Sequence, residues 1–178
     1  MSRIPNTQHR HYRLHYGASA DGLNSYVVEQ TEGFRHCEQK HGTRRCAYLF
    51  ELLDKRYGDI FFHCDQLIRG LYEPFVQDWH AALGDRLMVI RAEDLLDRPI
   101  EARGRLLRFL GLPEDSKSDP AGHSAQTSYG ALHAASRKPH PPMLDSTRQL
   151  IDAFYRPHNE RLAKLMGDPG LRWDDKRL

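Results

Sequence analysis

Apolar positions along the chain fall into blocks, some at helical spacing and one as a short continuous run. Leu23, Val27, Val28 and Phe34 repeat at a loose helical period, with Asp21 placed as an N-cap and Gly42 as a stop, which predicts one helix over residues 21–41. Leu67, Leu71, Phe75, Trp79 and Leu83 fall every four residues beside Ile68, Tyr72 and Val76. They predict a long helix with a wide buried face, ending at Gly84 and either bent by Pro74 or carrying it in the first turn. From Arg86 to Arg91 the run Leu-Met-Val-Ile has strand length and is bounded by polar residues, so a buried strand is expected there. Pro99 suits the first position of a helix whose buried side is Ile100, Leu106, Leu107, Phe109 and Leu110, before Gly111 and Pro113 end it. Residues 114–142 show no sustained period and read as a loop, functional or disordered at that length. Leu150, Ile151, Phe154, Tyr155, Leu162 and Leu165 restore a helical pattern, interrupted near Pro157 and closed by Gly167.

Composition narrows the class. The 178 residues suit one domain, 1–178, and 39% hydrophobic against 28% charged residues keep it out of the disordered class. Lys and Arg number 26 and Asp and Glu 24, leaving +2, which argues against a nucleic-acid-coating protein and makes any basic site local. No apolar run reaches the roughly 18 residues of a membrane span, and Met1–Tyr16 lacks the apolar core of a secretory leader.

Three groupings can carry chemistry. Cys37 and Cys46 enclose eight residues including Gly42, a spacing two thiols can close, and Cys64 stands apart. Free thiols explain them equally well, while zinc, with His36, His41 and His63 nearby, lacks the paired ligand spacing that marks such sites. Five of the eleven histidines lie in the first 41 residues. Around Arg3, His9, Arg10, His11, Arg13 and His15 they form a cationic, hydrogen-bonding cluster suited to phosphate or sulfate, although the residues alone favour a solvated basic terminus. Arg137 and Lys138, followed by Pro139, Pro141 and Pro142, can close over an anion or be ordinary surface charge. No GxxxxGK[ST], GxSxG, HExxH or EF-hand pattern occurs.

Several stretches in order resemble one family. They are Cys37-x8-Cys46, Gly70-Leu-Tyr72 with Trp79, Val89-Ile-Arg-Ala-Glu93-Asp94-Leu95, Phe109-Leu-Gly-Leu112, Pro142-Met-Leu144, Phe154-Tyr-Arg-Pro157-His-Asn159 and Trp173-Asp174. Together they resemble the carbohydrate sulfotransferases that use 3'-phosphoadenosine 5'-phosphosulfate. The likeness is strongest to the N-acetylgalactosamine 4-sulfate 6-O-sulfotransferases, with heparan sulfotransferases more distant.

The resemblance implies an α/β, P-loop-like domain of which this chain matches the C-terminal portion, mostly helical with a short parallel-sheet remnant. The phosphosulfate loop of the family lies upstream of the matching region, and nothing in this sequence corresponds to it. The implied activity is transfer of a sulfonyl group to a hydroxyl of a glycosaminoglycan-like glycan, with the phosphosulfate nucleotide as co-substrate, a glycan acceptor and no metal or nucleic acid. Arg3 fits the arginine that binds the donor's 3'-phosphate, Pro5 the proline beside it, and His11 stands where the family has a serine eight residues on. His15 falls where some heparan members carry a catalytic-site histidine, which makes it the candidate base for the acceptor proton. Arg137 and Lys138 align with the basic loop over the donor nucleotide. Members work in the oxidising Golgi lumen behind an N-terminal membrane anchor, so the resemblance also implies a Cys37–Cys46 disulfide with Cys64 a buried thiol. Tyr72, Trp79, Glu93 and Phe154 read as core or turn residues rather than catalytic ones. The rival reading is a truncated, non-catalytic chain that binds a sulfated glycan or a partner through its basic residues.

Overall fold

The computed structural model describes residues 14–48, 65–113 and 142–174, and these are mostly helical. The helices are α1 (Ala20–His41), α2 (Thr43–Tyr48), α3 (Asp65–Arg69), α4 (Tyr72–Leu83), α5 (Ala92–Asp97), α6 (Pro99–Phe109) and α7 (Asp145–Met166). Short 3-10 turns occupy Gly84–Arg86 and Pro169–Arg172. Two compact units form, Met1–Ala82 with Pro141–Leu178, and Leu83–His140.

In the first unit α7 packs on α1, and Phe34 meets Phe154 edge-on at 5.3 Å between ring centres. Cys37, Cys46, Leu67, Ile68 and Leu71 complete this core. The cap of α1 is Ser19 rather than Asp21: the Ser19 hydroxyl accepts from the Gly22 N–H at 3.0 Å. Gly42 ends the helix as expected, at φ 78°, where a side chain would be strained. Thr147, in the first turn of α7, donates to Asn24 Oδ1 at 2.7 Å and ties the N-terminal turns of the two long helices together.

The expected long helix over Leu67–Leu83 is two helices, broken at Gly70–Leu71. Tyr155 explains the break: its hydroxyl donates to the Leu67 carbonyl at 2.7 Å, and a Cβ on residue 70 would stand 2.5 Å from that hydroxyl oxygen. Pro74 takes the first-turn option in α4. The buried face is corrected as well. Leu67, Ile68 and Leu71 are buried, but Trp79 is 61% exposed. Because the chain breaks at Gly70–Leu71, the four-residue repeat does not continue in helical phase from Leu71 into α4, and Trp79 is not held on the face that Leu67 and Leu71 bury.

Pro157 does not interrupt α7, which runs unbroken from Asp145 to Met166. Pro157 and Ala153, four residues earlier, are both exposed, so the carbonyl that loses its helical donor lies on the solvent side. Gly167 closes the helix at φ 63°.

In the second unit the expected strand does not form. Leu87–Ile90 is half-buried but has no strand partner among the described residues, and a strand needs one to pair its N–H and C=O groups. The sheet remnant is thus absent from the described chain. Pro99 opens α6 as expected. The buried side assigned to α6 is overturned: only Ala102 is buried, while Ile100, Leu106, Phe109 and Leu110 are exposed. The apolar period of this helix faces no covering element among the described residues.

Candidate functional site

Of the residues assigned to transfer, His15 is the one the structure describes. Arg3, His11, Arg137 and Lys138 lie outside the described residues, as does Cys64. His15 is exposed at the end of a helical stretch that turns at Tyr16 into α1. The segment beside it is held at three points. The Tyr16 hydroxyl donates to Glu29 Oε2 at 2.6 Å, its ring meets Tyr26 edge-on at 5.3 Å, and a Cβ on residue 22 would stand 1.9 Å from the Tyr16 carbonyl oxygen. Gly22 is therefore fixed by close backbone approach, and the segment carrying His15 is anchored against the first turns of α1. An exposed imidazole on an anchored backbone can exchange a proton with a bound hydroxyl.

Cys37 and Cys46 form a disulfide, with Cα atoms 5.9 Å apart and both residues fully buried. This decides among the alternatives the spacing left open, since neither sulfur remains as a free thiol. The bond joins the last turns of α1 to α2, and the Glu38 carboxylate accepts from the Thr43 hydroxyl across the same corner. Beyond the corner, Asp78 of α4 receives Arg44 at 2.8 Å and the Tyr48 hydroxyl at 2.6 Å. Tyr48 stacks edge-on with Phe75 at 4.8 Å. The hydrogen bond from Tyr48 holds the Asp78 carboxyl below its usual range, and the phenol is raised correspondingly.

Two further ionic groups escaped the sequence reading. In the first unit His158 is buried between Phe34 and Phe154, with Nδ1 2.8 Å from Arg161 Nη2 and 3.3 Å from Glu73 Oε2. Burial pushes this imidazole below its ordinary value, which favours the neutral form and lets Nδ1 accept from Arg161. A signal for it was present: Phe154, His158 and Leu162 are spaced by four, and all three are buried. In the second unit Asp94, within the Glu93-Asp94-Leu95 motif, takes Arg91 with both oxygens, at 2.9 and 3.2 Å. Arg98 and Arg105 approach it at 2.5 and 3.9 Å. Its carboxyl is held at about 2, first by the Arg91 hydrogen bond, against the cost of burial. Both groups order backbone rather than present a reactive atom to solvent. Phe154 is a core residue as expected, whereas Glu93 is exposed in the first turn of α5.

Comparison with curated proteins agrees with the ordered motifs: the chain is similar to carbohydrate sulfotransferases. Human carbohydrate sulfotransferase 15 is 26% identical over 156 residues, 87% of this chain and 26% of that protein. Carbohydrate sulfotransferase 15 of Nototodarus sloanii is 26% identical over 147 residues, 82% of this chain and 87% of that one. The mouse bifunctional heparan sulfate N-deacetylase/N-sulfotransferase 4 is 23% identical over 180 residues, 93% of this chain and 18% of that protein. The chain thus spans about a quarter of the length of the human relative. No family model and no solved structure matches.

Proposed function

We propose that this chain takes part in transferring a sulfonyl group from 3'-phosphoadenosine 5'-phosphosulfate to a hydroxyl of a glycosaminoglycan-like glycan. The observation that carries the reading is the similarity to sulfotransferases along 82–93% of the chain, in line with the ordered motifs that include FYRPHN. In this reaction the acceptor oxygen attacks sulfur, the bond from sulfur to the bridging phosphate oxygen breaks, and the nucleotide leaves as 3'-phosphoadenosine 5'-phosphate. His15 takes the proton of the acceptor hydroxyl. Arg3 and His11 hold the 3'-phosphate, and Arg137 with Lys138 offsets the charge that develops on the leaving phosphate. The acceptor is bound through its sulfates and hydroxyls, and no metal is needed for these steps. The buried disulfide supports work in an oxidising compartment such as the Golgi lumen.

Calorimetric titration with 3'-phosphoadenosine 5'-phosphate tests the donor site. Binding at millimolar concentration or better is expected. Arg3→Ala should weaken it by about 1.5–3 kcal/mol, the range for a charge-assisted hydrogen bond, while Arg10→Ala leaves it near the wild-type value. Absence of nucleotide binding by the wild type removes the donor-site assignment.

A further inference from the structure

Helix α7 buries an ionisable ring that the transfer reaction does not use. His158 lies on the stripe that α7 turns into the core, between Phe154 and Leu162, and its side chain is 5% exposed. Phe34 of α1 and Phe154 of α7 flank the ring at 6.4 and 6.1 Å between centres. Among the described residues three charges act on it: Glu73 of α4, Arg161 of α7 and, least of the three, Glu38 of α1. Glu38 accepts from the Thr43 hydroxyl, so the groups that meet the ring itself are Glu73 and Arg161.

Both meet it at one nitrogen. Arg161 Nη2 stands 2.8 Å from His158 Nδ1 and 3.2 Å from Glu73 Oε2, while Nδ1 and Oε2 are 3.3 Å apart. A guanidinium can only donate, so Nδ1 accepts and the neutral ring carries its proton on Nε2. Two acceptors then face each other with no proton between them, and Arg161 donates to both. A proton added at Nδ1 reverses the roles. The new N–H points at a carboxylate already within reach, and the bond from Arg161 is lost, because Nδ1 has no lone pair left and the ring carries charge of the same sign. Burial sorts the three groups for this exchange: the His158 and Glu73 side chains are 5% and 12% exposed, whereas Arg161, at 49%, can turn into water at little cost.

We propose that His158, Glu73 and Arg161 form a proton-operated latch between α7 and α4: with the ring neutral Arg161 bridges the two helices, and with the ring protonated His158 and Glu73 join them directly while Arg161 is released to the surface. Packing accounts for the ring against Phe34 and Phe154, but not for a cation and a carboxylate at the same nitrogen. Burial holds the imidazole below its ordinary value, so the folded chain keeps the ring neutral where the unfolded chain already takes up the proton. The stability this contributes is present above the unfolded value, 6.5, and is lost as pH falls through the folded one. Glu73 limits the loss by receiving the new N–H. The latch needs neither the nucleotide nor His15, so it stands apart from sulfonyl transfer.

Nitrogen-15 NMR of the histidine rings in the full chain, titrated from about pH 8 to about pH 5, tests it. His158→Gln identifies the resonance by its absence. Arg161→Met, a change at a half-exposed side chain, identifies it independently as the ring whose titration moves, should the first variant fail to fold. At about pH 8 His158 should be neutral, with its proton on Nε2. Arg161→Met should shift its titration to higher pH and Glu73→Gln to lower pH, since one removes a cation and the other the carboxylate that receives the proton. Relaxation of the Arg161 guanidinium should report an ordered group above the His158 midpoint and a mobile one below it. Urea unfolding gives a separate reading: Glu73→Gln should lose stability more steeply than the wild type as pH falls below about 6.5. A proton on Nδ1 at about pH 8, a midpoint indifferent to Arg161→Met, an Arg161 equally ordered on both sides of that midpoint, or global unfolding before the ring titrates would each overturn the latch.

Discussion

Asp94 shows what one motif residue does. The carboxylate sits between three guanidiniums, is nearly buried itself, and ties the extended segment ending at Arg91 to the first turns of α5 and α6. Its carboxyl lies at about 2, below the unfolded value, so the stabilisation is complete above pH about 4 and is lost as pH falls through 2. Arg98 and Arg105 are partly exposed and screened by water, which leaves about 1–2 kcal/mol for the set. Asp94→Asn should therefore lower stability by that amount at pH 7. Its denaturant midpoint should also stay flatter than the wild type's between pH 4 and 2, as urea unfolding across that range would show. The sequence marked Glu93-Asp94-Leu95 as a motif but could not say which of its carboxylates is buried, because three cations converge on Asp94 only once α5 and α6 have folded together.

The ends of the elements were largely legible, since Gly42, Pro99 and Gly167 act through their own backbone preferences and need no partner. Breaks and faces were not, because they depend on distant residues. Gly70 breaks the α3–α4 run only because Tyr155, 85 positions away, fills the space a side chain would take. Leu87–Ile90 has the apolar content of a strand without a described strand to pair with. The exposed position of Trp79 reverses the expectation of a large packing loss: Trp79→Ala should shift the melting temperature by no more than an ordinary surface substitution, within about 0.5 kcal/mol. The disulfide is the opposite case. Cys37 and Cys46 are buried in the core that holds Phe34 and Phe154, and Cys37→Ser with Cys46→Ser should cost about 2–3 kcal/mol, seen as an earlier denaturant midpoint without added reductant.

For the whole molecule, the unit built from α1–α4 and α7 contains both the anchored His15 segment and the FYRPHN helix, and its long helices are joined at their starts by Thr147 and Asn24. The proposed site was legible in the sequence only as a set of positions in the order the resemblance implies. The Arg3–His11 pair and the adjacent Arg137 and Lys138 are far from each other in sequence and lie outside the described residues, so no local spacing joins the two pairs. The proposed catalytic role therefore concentrates on His15, which is exposed beside the anchored Tyr16. The most direct test is transfer itself, with the full chain, sulfur-35-labelled 3'-phosphoadenosine 5'-phosphosulfate and a chondroitin sulfate acceptor. Label in the glycan, lost in His15→Ala while 3'-phosphoadenosine 5'-phosphate still binds, is the predicted result. No label in the glycan from a wild-type chain saturated with nucleotide would contradict sulfonyl transfer and leave a binding protein in its place.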